Sequence, residues 1–149
     1  MTHNPAMLPG GLHLTFDPAP SVETRRALGE AIYAFNARVA PLVVERFALL
    51  LHDEVGALAA GLSGAMYWGW LFVDSLWVSD ALRGSGLGRA LMARAEDHAR
   101  ANDCHGVWLD TFQARGFYEK LGYESFGVLE DYPPGHSRHF LRKRLRPTR

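Results

Sequence analysis

The chain has 149 residues, 48% of them hydrophobic and 21% charged, which is enough for one globular domain with a buried core. Sixteen basic residues balance sixteen acidic ones, so nothing at the whole-chain level draws it to nucleic acid or to a membrane surface. Its most apolar run, residues 65–73, falls far short of the roughly 20 residues that cross a bilayer, and a lone cysteine, Cys104, excludes an internal disulfide and suits a reducing cytoplasm.

In chain order, Met1 to Gly11 carries two prolines and two glycines without the basic-then-apolar plan of a secretory signal, and reads as a flexible tail. Residues 12–149 read as a single domain. Leu12-His13-Leu14-Thr15-Phe16-Asp17 alternates as a short first strand, which Pro18 and Pro20 stop. Ser21 is then a natural N-cap with Glu23 in the first turn. Leu28, Ala31, Ile32, Phe35 and Val39 follow at three- and four-residue spacing, predicting a helix that ends by Pro41. Leu42 to His52 reads as a strand, Asp53-Glu54-Val55-Gly56 as a hairpin turn, and Ala57 to about Met66 as the returning strand.

Leu71 to Val78 is almost wholly apolar, as a strand buried on both faces should be. Asp74 is its only charge. A carboxylate there requires a hydrogen-bonding partner or a wet cavity, which leaves a structural role and an acceptor-binding role both open. Gly106 to Thr111 reads as the next strand, Phe117-Tyr118 as part of a helix, and Glu124 to Leu129 and Ser137 to Leu145 as two closing antiparallel strands. The order strand, helix, strand, helix, strand, strand predicts the α/β class, a mixed sheet with helices on both faces. Cys104-His105-Gly106 reads as a helix end and not as a metal site. The basic end, Arg138, Arg142, Lys143, Arg144, Arg146 and Arg149, reads as the solvated face of an edge strand rather than a nucleic-acid patch.

Between the apolar strand and an Ala/Leu-rich helix lies Arg83-Gly84-Ser85-Gly86-Leu87-Gly88-Arg89. Three glycines in five residues let successive backbone N–H groups point one way, and a helix N-terminus adds about half a positive charge at the same place. A phosphate or pyrophosphate is the natural guest. The helix charges agree: Arg89 and Arg94 come early, Glu96, Asp97 and Asp103 late, the reverse of what the macrodipole favours without an anion. A dinucleotide fingerprint counted from Gly84 would need its third glycine where Arg89 stands, and no Gly-Lys-Ser/Thr completes a P-loop.

Arg83-Gly84-Ser85-Gly86-Leu87-Gly88 resembles the Arg/Gln-x-x-Gly-x-Gly/Ala segment with which the GNAT superfamily of N-acetyltransferases binds acetyl-CoA. Gly116-Phe117-Tyr118-Glu119-Lys120-Leu121-Gly122-Tyr123 resembles the Phe-Tyr-x-x-x-Gly-Phe/Tyr helix of the same superfamily. The likeness spans about residues 42 to 145, and Leu129 to His136 is similar to a bacterial subgroup of unknown acceptor. It implies the GNAT fold, a mixed, mostly antiparallel sheet of six to seven strands flanked by helices on both faces. It also implies acetyl-CoA as cofactor and acetyl transfer to a primary amine of a small molecule or peptide, in the cytoplasm, with a homodimer allowed. Leu76, Trp77, Val78, Arg83, Gly84, Ser85, Gly86, Leu87, Gly88 and Arg89 would hold the cofactor.

In the superfamily the tyrosine of the second motif commonly protonates the departing CoA thiolate, and here that residue is Tyr118. By resemblance to ribosomal-protein acetyltransferases, Asp110 in Trp108-Leu109-Asp110-Thr111 is the candidate base, with Asp74, Glu130 or a water relay as alternatives. The connection before the Tyr118 helix is shorter than in relatives: only Thr111-Phe112-Gln113 intervene, without an Asn. Acceptor binding would fall to Tyr67-Trp68-Gly69-Trp70 and the Glu130 to His136 turn. There Trp70, Asp74, Glu130, Asp131 and His136 would suit a cationic amine. Equally, Trp68 and Trp70 are core and the Pro133-Pro134 turn is a tight connection. The rival functions are a non-catalytic acyl-CoA-binding module of the same fold and a dinucleotide-binding fragment.

Overall fold

The computed structural model describes residues 8–146, in two compact units, one ending at Pro41 and one beginning at Leu42. In the first, a short 3-10 turn at Pro9–Gly11 precedes helix α1, Val22–Ala37. Ser21 caps α1 as its sequence suggests, its hydroxyl accepting the Thr24 N–H at 3.0 Å. Met1 to Met7 of the expected tail, and Arg149 of the basic end, lie outside the described residues. Leu12–Asp17 is not a strand: the segment has no regular structure. Alternation permits a strand but does not create one, since a strand exists only through a neighbour's ladder. Asp17 instead accepts the Ala19 N–H in a local turn.

The second unit is a six-stranded mixed sheet. Its strands are β1 Glu45–His52, β2 Leu58–Tyr67, β3 Trp70–Val78, β4 Gly106–Thr111, β5 Glu124–Glu130 and β6 Ser137–Arg144. They lie in the order β1-β2-β3-β4-β6-β5. Every neighbouring pair is antiparallel except β3 and β4. Helix α2, Leu87–Ala101, links β3 to β4, and the short helix α3, Arg115–Lys120, links β4 to β5. Leu62, Leu71, Val107, Leu109 and Leu141 of the sheet and Met92, Ala95 and Ala99 of α2 are fully buried in one cluster. Each large side chain there contributes about 1.5–3 kcal/mol by leaving water.

The first two of the three hairpin turns follow from their residues. Asp53 accepts the N–H groups of Val55 and Ala57 while Gly56 takes a φ of 82°. Trp68 and Gly69, at φ 49° and 79°, make a two-residue turn with both centres left-handed, so β2 and β3 run closer together than the sequence suggests. Asp74 is the extra residue of a β-bulge, because Ser63 faces Ser75 while Gly64 faces Val73.

The basic end is not a solvated edge. β6 lies between β4 and β5, so its charges are met by neighbours: Arg138 pairs with Asp110, Arg142 with Glu124 and Lys143 with Glu96. Arg144 lies over the Trp70 ring. Glu96 is only 6% exposed and also accepts the Tyr123 hydroxyl at 3.2 Å. This carboxylate therefore owes its place on α2 to Lys143 and Tyr123, not to an anion at the far end of the helix.

Candidate active site

β3 and β4 are parallel neighbours for three residue pairs only, Trp70–Phe72 with Gly106–Trp108. Beyond Phe72 and Trp108 the two strands part, and the parting opens a cavity of about 470 Å³. Leu76 and Val78 line it from β3, Leu82 to Arg89 (Ser85 excepted) from the glycine turn and the start of α2, and Ala114, Phe117 and Tyr118 from α3. Trp77 and Ser85 do not line it. Trp77 is half exposed, and the Ser85 hydroxyl donates to the Leu82 carbonyl.

The glycines divide their work. Gly84 and Gly86 have φ values of 77° and 84°, the left-handed region that other residues resist, and a Cβ on either would meet nothing within 4 Å. Gly86 is the N-cap of α2. Gly88 already lies within the helix, and a Cβ there would come 3.2 Å from the Phe117 ring, so this glycine serves the approach of α3 to α2. The first turn of α2 contains no acidic residue, which leaves its unsatisfied N–H groups and positive end facing the cavity. Arg83 pairs with Asp80 at 2.9 Å.

Tyr118 is 7% exposed. Burial, aided by the negative charge of Asp110, pushes its phenol up to about 12, so at neutral pH it holds its proton. The short connection before it is workable because the Thr111 hydroxyl accepts the N–H groups of Gln113 and Ala114, starting α3 at once. Burial also pushes the Cys104 thiol up, which makes it a poor nucleophile.

The remaining candidates fall into two places. Asp110 is the last residue but one of β4, with Arg138 Nη1 2.6 Å from its Oδ1. Nearby the 131–136 turn is closed by the Tyr132 N–H on the His136 carbonyl and by the Gly135 N–H on Asp131 Oδ1, and the His136 ring meets Phe112. Glu130, Asp131 and His136 are exposed. Asp74 is exposed at its bulge and accepts the Ser63 hydroxyl. Trp70 is not brought to this group. It begins β3 opposite Gly106, four residues before Asp110 on β4, and lines a separate 370 Å³ cavity with Trp108, Phe126, Phe140 and Arg142. Arg138 and Phe112 join this group although the sequence places Arg138 with the basic end and Phe112 in a mere connection, and Tyr132 joins it from the Glu130 to His136 turn.

A family model described as the acetyltransferase (GNAT) family matches residues 14–123. A blasticidin-S acetyltransferase from Streptomyces morookaense is 47% identical over 105 residues, 68% of this chain and 77% of that protein. An acetyltransferase of Agrobacterium fabrum is 29% identical over 137 residues, 90% of this chain and 100% of the other. Among solved structures, an acetyltransferase from Bacillus cereus superposes with a TM-score of 0.80 at 32% identity, covering 88% of this chain and 98% of that one.

Proposed function

The chain belongs to the GNAT family of acetyl-CoA-dependent N-acetyltransferases, and from that premise we propose that it acetylates a primary amine of a small molecule or peptide by direct attack, with Tyr118 as general acid. The observation that carries this reading is the single cavity joining the glycine turn to Tyr118. At one end Gly84, Gly86 and the first N–H groups of α2 suit a pyrophosphate. In the middle, β3 beyond Phe72 has no ladder partner on its β4 side, so the main-chain groups that Leu76 and Val78 turn away from β2 are left for an extended, amide-bearing arm, beside Arg83, whose Nε donates to the Val78 carbonyl at 3.4 Å. Trp77, between them, turns its main chain to Gly61 of β2 and does not line the cavity, so it has no evident part in holding the arm.

When bound, acetyl-CoA supplies the thioester. Tyr118, protonated at neutral pH, would give its proton to the sulfur as the C–S bond breaks. Its proton affinity exceeds that of an ordinary thiol, near 8.5, yet the desolvation that raises the phenol raises the thiolate alike. Asp110 would take the proton the amine loses, with Asp74, Glu130 or a water relay as the other routes. The relative from Streptomyces morookaense, by its name, favours a small-molecule acceptor such as blasticidin S.

Thermal melting tests the cofactor end. Acetyl-CoA at about 100 times its Kd should add roughly 2.7 kcal/mol, several degrees in Tm, and NAD should add little. Gly86→Val should abolish the shift by placing a side chain at φ 84° in the turn. A melt raised by NAD and not by acetyl-CoA would refute the reading. Turnover with a panel of amines separates an enzyme from an acyl-CoA-binding module.

A further inference from the structure

Beyond the parting strands, a second enclosed polar group is gathered around Arg138. Its Nη1 donates to Asp110 Oδ1 at 2.6 Å and its Nε to the Tyr132 carbonyl at 3.5 Å. The guanidinium carbon lies 4.1 Å from the centre of the Tyr132 ring and 5.3 Å from that of Phe112. Both members of the ion pair are about three-quarters buried, at 21% and 24% exposure. A surface ion pair would be solvated and worth little; a guanidinium this enclosed needs its partners in place.

The register explains how it gets there. β4 ends with Thr111 opposite His139, so Arg138 stands one residue past the last β4 pair and can turn back to Asp110. On its other side it is paired with Leu129 of β5. Arg138 therefore joins three pieces: the end of β4 that presents Asp110, the connection at Phe112, and the 131–136 turn through the carbonyl and ring of Tyr132. Only a planar fork with several N–H groups can serve a carboxylate and a carbonyl together while stacking on aromatic rings. Among the described residues, Asp110 Oδ2 carries no hydrogen bond, and Asp110 lies near enough to Tyr118 for its charge to act there.

We propose that Arg138 is a positioning residue for the acceptor side: it fixes Asp110 by one oxygen, leaves the other for the incoming amine, and holds the 131–136 turn against β4 as the wall the acceptor meets. The assignment rests on the reading of Asp110 as the base. It predicts that the base and the acceptor wall act as one unit, and that loosening Arg138 harms the amine's half of the reaction while sparing acetyl-CoA's.

The test compares wild type, Arg138→Gln, Asp110→Asn and the double variant in steady-state acetylation, with blasticidin S as the first amine and the best substrate of an amine panel otherwise. Arg138→Gln should lower kcat/KM for the amine about tenfold or more, leaving the KM for acetyl-CoA and the acetyl-CoA melting shift within twofold of wild type. The double variant should lose clearly less than the product of the two single losses, because part of what Arg138 does passes through that carboxylate. An unchanged amine kcat/KM, or losses that multiply in the double variant, would overturn the proposal while leaving the proposed function intact. Asp110→Asn retaining wild-type activity would remove the base and Arg138's target with it. No acetylation of any amine would sink the proposed function itself. Should Arg138→Gln fail to fold, Arg138→Lys decides: it keeps the charge but cannot reach both partners, so folded protein with full amine kcat/KM would refute a positioning role.

Discussion

The two ends of β3 use glycine for opposite reasons. At the end where β3 and β4 are paired, glycines make room for matter already there: a Cβ on Gly69 would come 2.6 Å from the His105 ring, and one on Gly106 would come 2.5 Å from the Trp70 ring and 2.6 Å from the Lys143 carbonyl. Where the strands part, Gly84 and Gly86 keep space empty and the backbone left-handed. Pairing satisfies the main chain and turns a strand into scaffold; parting leaves main-chain groups without partners, and that deficit is what a ligand can fill. A substitution at the closed end should therefore cost stability, and one at the open end function.

The largest effect to expect is at the closed end. Gly106→Val forces a side chain into a ring and a backbone carbonyl, which should cost about 3 kcal/mol or more, read as the shift of the urea midpoint. Acetyl-CoA should still raise the Tm of whatever folds. Loss of that response at unchanged stability would dissolve the contrast between the ends.

At the open end, Tyr118→Phe keeps the ring and removes its only proton. A general acid's share of kcat, on the order of a hundredfold or about 2.7 kcal/mol, should disappear while acetyl-CoA affinity and Tm hold. Near wild-type turnover would reduce Tyr118 to a packing residue.

A smaller effect sharpens the contrast through pH. The folded Tyr118 pKa of about 12 lies above the ordinary tyrosine value of about 10. Tyr118 therefore adds no pH dependence below about pH 10, and stability falls as pH rises toward 12 because the unfolded chain releases this proton first. Tyr123, raised well above the usual range by burial and by Glu96, acts in the same direction. Tyr118→Phe should flatten the loss between about pH 10 and 12 by on the order of 2 kcal/mol, measured as urea midpoints against pH.

What the sequence disclosed was what local chemistry decides. The apolar run to Val78, the Ser21 cap, the Asp53–Gly56 turn and the Gly84–Gly86 turn each depend on neighbours within a few residues. What it hid depends on register between distant strands. Arg138 and Asp110 are 28 residues apart and Lys143 and Glu96 are 47 apart, so charges that read as a solvated face turned out to be enclosed ion pairs. Leu12–Asp17 had the alternation of a strand without a ladder to join. Trp70 groups with the acceptor residues by its aromatic character, and only the strand register shows that it lines a different cavity.

Gly88 bears on the order of events. It is the second residue of α2, and Phe117, whose ring presses toward it, immediately precedes Tyr118. The helix end suited to the pyrophosphate and the helix carrying Tyr118 thus approach closely, so a ligand that steadies the first would also steady the second. An amine arriving before the cofactor would find neither a thioester nor a settled proton donor. Cofactor-first kinetics are the outcome we expect on this ground, read as weak binding of the amine to the enzyme without acetyl-CoA.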